Sequence, residues 1–217
     1  MLVKLILLLI FLFASIAAMN AQTPAIGAKL GIVNGRAKSL PRPVYSQEAK
    51  DFCASGAVSV EVEVDENGDV SSAKAISGDE LLHELAIEAA KKAKFLKTTD
   101  SNSPVKIKGA IVYNFLSEKK CVDGGIVNKK ALSIPKPSLT SDIEIKQETS
   151  VTVRVIIDET GNVILAKASE SVDPLLRTVF ESAARQAKFY PTNEVGKIII
   201  KGYLVYKIKL NREIEIE

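Results

Sequence analysis

The sequence predicts an α+β fold built twice: two tandem ββαβ modules, each a three-stranded antiparallel sheet packed on one helix. Three observations carry this. GIVNGRAKSLPRP at Gly31 to Pro43 returns ninety-four positions on as GIVNKKALSIPKP at Gly125 to Pro137, with eight of the thirteen positions identical. Valines alternate with polar residues at Val58, Val60, Val62 and Val64, the period of a strand buried on one face. Leu82, Leu85, Ala86, Ala89 and Ala93 then recur at the spacing of one helical stripe.

The elements follow in the same order in both copies. VSVEVEVDENGDV from Val58 matches VTVRVIIDETGNV from Val151, and AKFLKT from Ala93 matches AKFYPT from Ala187. Asp65 to Gly68 turns the first hairpin and Asp158 to Gly161 the second, the glycine supplying the positive φ of a tight turn. In the second helix the stripe is Leu176, Val179, Phe180, Ala183 and Ala187. Asp79 and Asp173 stand where a carboxylate caps a helix start. The last strands are predicted over 106–115 and 198–210. The modules are accordingly placed at 31–116 and 125–217, with the charged, aperiodic stretch 117–124 as a linker. PVYSQEAKDF at the entrance of the first module reads as a short helix, while the type of SLTSDIEIKQ in the second stays open.

The chain's start bears on its compartment. Lys4 precedes an apolar stretch from Leu5 to Met19 that ends in small residues, the shape of a secretory signal peptide, expected over 1–21. It falls short of the roughly 20 residues that span a bilayer, so export to the periplasm or beyond is expected and an inner-membrane anchor is the alternative. Cys53 and Cys121 would then lie where disulfides persist and are a candidate pair; two unpaired small apolar fillers are the other reading.

The overall charge is +3, with no Trp and 6% aromatic residues. Nucleic-acid binding needs a concentrated basic stripe and stacking rings, so it is not expected. One histidine, His83, sits away from the helix's apolar stripe, leaving no nucleophile and base pair for catalysis. The turn acids Asp65, Glu66, Asp158 and Glu159 suit local backbone bonding, and the two cysteines lack zinc spacing. No enzyme activity, metal or cofactor is expected.

Pro43, Tyr45 and Ala49, a valine-rich strand, the turn Asp65, Gly68 and Val70, Ser77-Gly78, and an Ala-rich helix ending Ala93 to Phe95 together resemble the TonB C-terminal domain family. The resemblance is fullest over Leu40 to Phe115. From Ile134 to Ile208 it departs, with Leu139 in place of the entrance Tyr and Glu170-Ser171 in place of Ser-Gly. The resemblance implies an envelope module that adds a partner's extended segment to the edge of its last strand, a peptide from an outer-membrane receptor being one such partner. Position by position it points to Lys106, Lys108, Ala110, Val112 and Asn114 in the first copy and Ile199, Lys201, Tyr203, Val205 and Lys207 in the second. Ala110, Val112, Tyr203 and Val205 are expected to face outward; packing of the two modules on each other is the alternative use of those residues. An anchored or accessory energy transducer is the alternative function, and open edges would also permit a homodimer.

Overall fold

The structure is a computed structural model describing residues 26–97, 99–100, 103–104, 106–141, 143–192 and 198–217; side chains are not described at 26–30, 99–100 and 103–104. The leader expected over 1–21 lies outside the described residues.

The strands in chain order are β1 (Ile26–Ile32), β2 (Ala37–Ser39), β3 (Gly56–Val64), β4 (Val70–Ser77), β5 (Lys94–Phe95), β6 (Thr99–Asp100), β7 (Ser103–Pro104), β8 (Lys106–Phe115), β9 (Cys121–Ile126), β10 (Ala131–Ser133), β11 (Thr149–Ile157), β12 (Val163–Ala168), β13 (Lys188–Phe189), β14 (Ile199–Ile208) and β15 (Ile214–Ile216). The helices are α1 (Gln47–Asp51), α2 (Glu80–Lys91) and α3 (Pro174–Arg185). The fold is α+β, but its sheets are larger than the three strands expected. The first runs β1-β8-β3-β4; the second runs β12-β11-β14-β15, with β9 also on β14. The added β1 and β9 are parallel to the last strands, and β9 (Cys121–Ile126) begins inside the stretch 117–124 expected as linker. Parallel neighbours are joined by no local turn, so their pairing leaves no signature in nearby sequence.

The chain gathers into two compact units that do not coincide with the sequence copies. One takes Ser59–Ile76, Ile87–Val112 and the described residues up to Arg42; the other takes Pro43–Val58, Ser77–Ala86 and Tyr113–Glu217.

In the first unit the alternation in β3 is realised: Val60, Val62 and Val64 are buried, while Glu61 and Glu63 lie on the other face with Lys108. The hairpin closes on Asp65, whose carboxylate accepts from Asn67 N–H (2.9 Å) and Asp69 N–H (2.8 Å). Gly68 has φ 89°, and a side chain there would collide with the Phe95 carbonyl, so both the turn and the close approach require glycine.

The second unit centres on Val151, Val153, Val155, Phe180, Leu204 and Tyr206, with the Phe180 and Tyr206 rings edge to face at 5.0 Å. Asp158 repeats the turn, accepting from Thr160 and Asn162 N–H at 2.9 Å each, and Gly161 (φ 85°) sits against the Phe189 carbonyl. Asp173 caps α3 by accepting from Leu175 N–H at 2.8 Å, and Pro174 opens the first turn, where its missing N–H costs nothing. The expected entrance helix is α1, capped by Ser46, and in the second copy the described part of SLTSDIEIKQ forms neither helix nor strand.

Candidate functional site

The candidate edges are defined by which backbone groups of β8 and β14 point away from the hairpin. In β8 these belong to the even-numbered residues: Ala110 C=O accepts from Val33 N–H (2.8 Å), and Val112 uses both its N–H and its C=O on the Asn34 side chain. In β14 they belong to the odd-numbered residues: Tyr203 C=O accepts from Val127 N–H (3.0 Å), and Val205 exchanges two bonds with Asn128. Among the residues singled out by sequence, Ala110, Val112, Tyr203 and Val205 thus turn backbone groups to the outer side of the last strand. That side is not vacant.

In the first copy β1 lies along it, with Ile26 opposite Lys106, Lys29 opposite Lys108 and Ile32 opposite Ala110. Beyond it, Asn34 Nδ2 donates to Val112 O (2.7 Å) and Val112 N–H donates to Asn34 Oδ1 (2.8 Å), so one planar amide stands in for a strand residue. In the second copy β9 sets Cys121, Val122 and Asp123 against Ile199, Ile200 and Lys201. Asn128 repeats the amide pairing on Val205 at 2.7 and 3.0 Å, and β15 covers Tyr206 to Ile208. Asn114 is exposed at the end of β8.

The repeated GIVN segment is explained by this geometry. Val33 and Val127 are buried above Gly109 and Gly202; a side chain at Gly109 would collide with Val33, and one at Gly202 would lie 2.6 Å from Val127 Cγ1. Valine, asparagine and the strand glycine thus form one lock, made twice. Sequence reasoning missed Val33, Asn34, Val127 and Asn128 as edge-covering residues, although the identity of GIVN in both copies was the signal.

Ala110 and Val112 are half-buried on the face opposite buried Ile107 and Ile111; Tyr203 is half-buried and Val205 is buried. Lys108 is held by Glu61 (2.9 Å) and Glu63 (3.6 Å), and its hydrogen bond to Glu61 raises its pKa. Lys201 instead faces Asp123 of β9 at 3.6 Å.

The counterparts of Glu61 and Glu63 in β11 are Arg154 and Ile156, and here the two copies diverge. Arg154 makes two 2.7 Å bonds to Asp79, with side chains only 12% and 9% exposed, and lies 5.5 Å from the centre of the Tyr203 ring. Burial opposes the Arg154 charge most strongly, but the hydrogen bonds and charge of Asp79, together with Tyr203 and Glu80, raise the pKa on balance. Ile156 packs with Phe52 and Cys53, flanked by Leu81, Cys121, Leu165 and Ile199. Cys53 and Cys121 are joined as a disulfide with Cα atoms 6.3 Å apart. His83 is only partly buried, its Nε2 3.2 Å from the Gly78 carbonyl. Among the described residues no group of three or more His, Cys, Asp and Glu could hold a metal, and no helix is long and apolar enough to cross a membrane.

Each sheet thus carries, on the outer side of its last strand, a parallel strand from its own chain. Residues 41–115 match the family described as Gram-negative bacterial TonB protein C-terminal, so that segment is similar to a TonB C-terminal domain. The second copy lies outside the matched residues and is tied to the first by the sequence repeat and the shared order of elements. No curated protein and no solved structure matches the chain.

Proposed function

We propose that this is an envelope protein of the periplasm that binds a protein partner by taking an extended segment of it onto the last strand of a sheet. Lys106, Lys108, Ala110, Val112 and Asn114, or Ile199, Lys201, Tyr203, Val205 and Lys207, would present the backbone. A segment of an outer-membrane receptor is the partner that the TonB-type domain suggests. The observation that supports the reading most is the parallel strand carried by each last strand: these edges have the geometry to accept a strand, and the chain itself supplies one. Backbone ladders give such binding its affinity, and the half-buried side chains between rungs give it selectivity.

The test uses the exported protein beside Val112→Pro and Val205→Pro, each of which removes one edge-facing N–H. Receptors from an outer-membrane extract should be retained by the parent and lost with at least one variant. Retention by both folded proline variants would sink strand addition. Recovery of the protein in the inner-membrane fraction with its leader intact would favour the anchored transducer instead.

A further inference from the structure

The two copies hold their covering strands by different means. In the second, β9 begins at Cys121, which is bonded to Cys53 beside the Phe52 and Ile156 cluster. Its first three pairs run in unbroken register, and the rest of β14 is taken by Asn128 and β15. In the first, the residue aligned with Cys121 is Gly27, which has no thiol. The register of β1 shifts at both intervals between its three pairs, and the Ile32 side chain is 71% exposed. The first sheet has no strand corresponding to β15 among the described residues.

We propose that the first copy is the acceptor and that β1 is a displaceable occupant of it, the disulfide keeping the second copy closed. This rests on the strand-addition reading above and adds which copy binds and what it selects. The partner segment is extended, enters parallel to β8, and carries a valine-sized residue followed directly by a carboxamide. The first requirement comes from Gly109, whose missing side chain leaves the space that Val33 fills. The second comes from Val112, which offers a donor and an acceptor to one planar group; a carboxylate accepts but does not donate. Because β1 is tethered, it competes at an effective concentration on the order of millimolar, so a partner segment must exceed that concentration or pair more tightly than β1 does.

The probe is a fluorescein-labelled peptide of residues 26–34, IGAKLGIVN, titrated by anisotropy into the oxidised protein. Asn34→Ala weakens the built-in strand and should tighten peptide binding about tenfold, since one to two hydrogen bonds of ordinary strength are removed from the competitor. Asn128→Ala should leave binding unchanged while the disulfide is intact. A peptide with Asp in place of its Asn should bind at least tenfold more weakly. If Asn34→Ala has no effect while reduction or Asn128→Ala increases binding, the second copy is the acceptor: the assignment falls but strand addition stands. If neither parent nor variants bind the peptide, strand addition by this edge falls as well. Hydrogen exchange on the unaltered oxidised protein gives a check free of variants. β8 amides facing β1 should exchange at least tenfold faster than β14 amides facing β9, and equal protection overturns the proposal.

Discussion

Breaking the Arg154 to Asp79 pair should destabilise the protein more than an ordinary surface ion pair does. The carboxylate receives two guanidinium N–H groups at 2.7 Å, and the side chains are 12% and 9% exposed. Removing one partner leaves the other charge largely shielded from water, a loss of about 3–5 kcal/mol for a buried pair. For a chain of this length that corresponds to a fall in Tm of roughly 6–20 °C. Arg154→Met isolates the carboxylate and Asp79→Asn isolates the guanidinium. Asn is the informative replacement because Asp79 also accepts from Leu81 N–H (3.1 Å) at the start of α2, and Asn preserves that cap. The double variant removes both charges and should recover most of the loss, leaving a strong coupling in a urea-denaturation cycle. Single losses below about 1 kcal/mol that simply add would refute the reasoning and reduce the contact to a screened surface bridge.

Other expectations follow from the same structure. Burial lifts the Tyr113 and Tyr206 phenols to about 12. Each stays protonated in the folded state above the unfolded value, so stability should fall as pH rises from about 10 towards 12, with a late ultraviolet phenolate step. Tyr206→Phe should be neutral or stabilising by about 1 kcal/mol, because its buried hydroxyl has no hydrogen-bond partner among the described residues; a large loss in thermal melting would contradict this. Gly161→Ala places a side chain at φ 85° against the Phe189 carbonyl and should cost more than the roughly 1–2 kcal/mol of left-handed backbone alone, read from urea midpoints. Cys53→Ser opens a loop spanning 68 residues and should cost up to about 4 kcal/mol by chain entropy, with reduction of the parent giving a similar shift.

Much of the local structure was legible because it is made by neighbours in sequence. Asp65 and Gly68 form a turn through bonds within five residues, and Asp173 with Pro174 starts α3 by the same short-range logic. Strand parity is visible in the bonding too: Ala110 and Val112 in β8, and Tyr203 and Val205 in β14, direct their backbone to the outer side. The divergence of the copies was written in β11 as well, where Ile156 and Ile157 break the alternation kept by Glu63 and Val64 and so mark a strand buried on both faces.

What the sequence determined by itself was the repeat, the turns, the helix starts, the identity of the last strands and the α+β class, all set by periodicity or contacts a few residues long. Tertiary structure decided whether those last strands are open. Asn34 reaches Val112 across 78 positions and Asn128 reaches Val205 across 77, and β1 and β9 run parallel to strands far along the chain. Such pairings depend on three-dimensional closeness, with no turn or local period to announce them. The space above Gly109 and Gly202 for a distant valine, like the meeting of Arg154 with Asp79, exists only once the chain has folded.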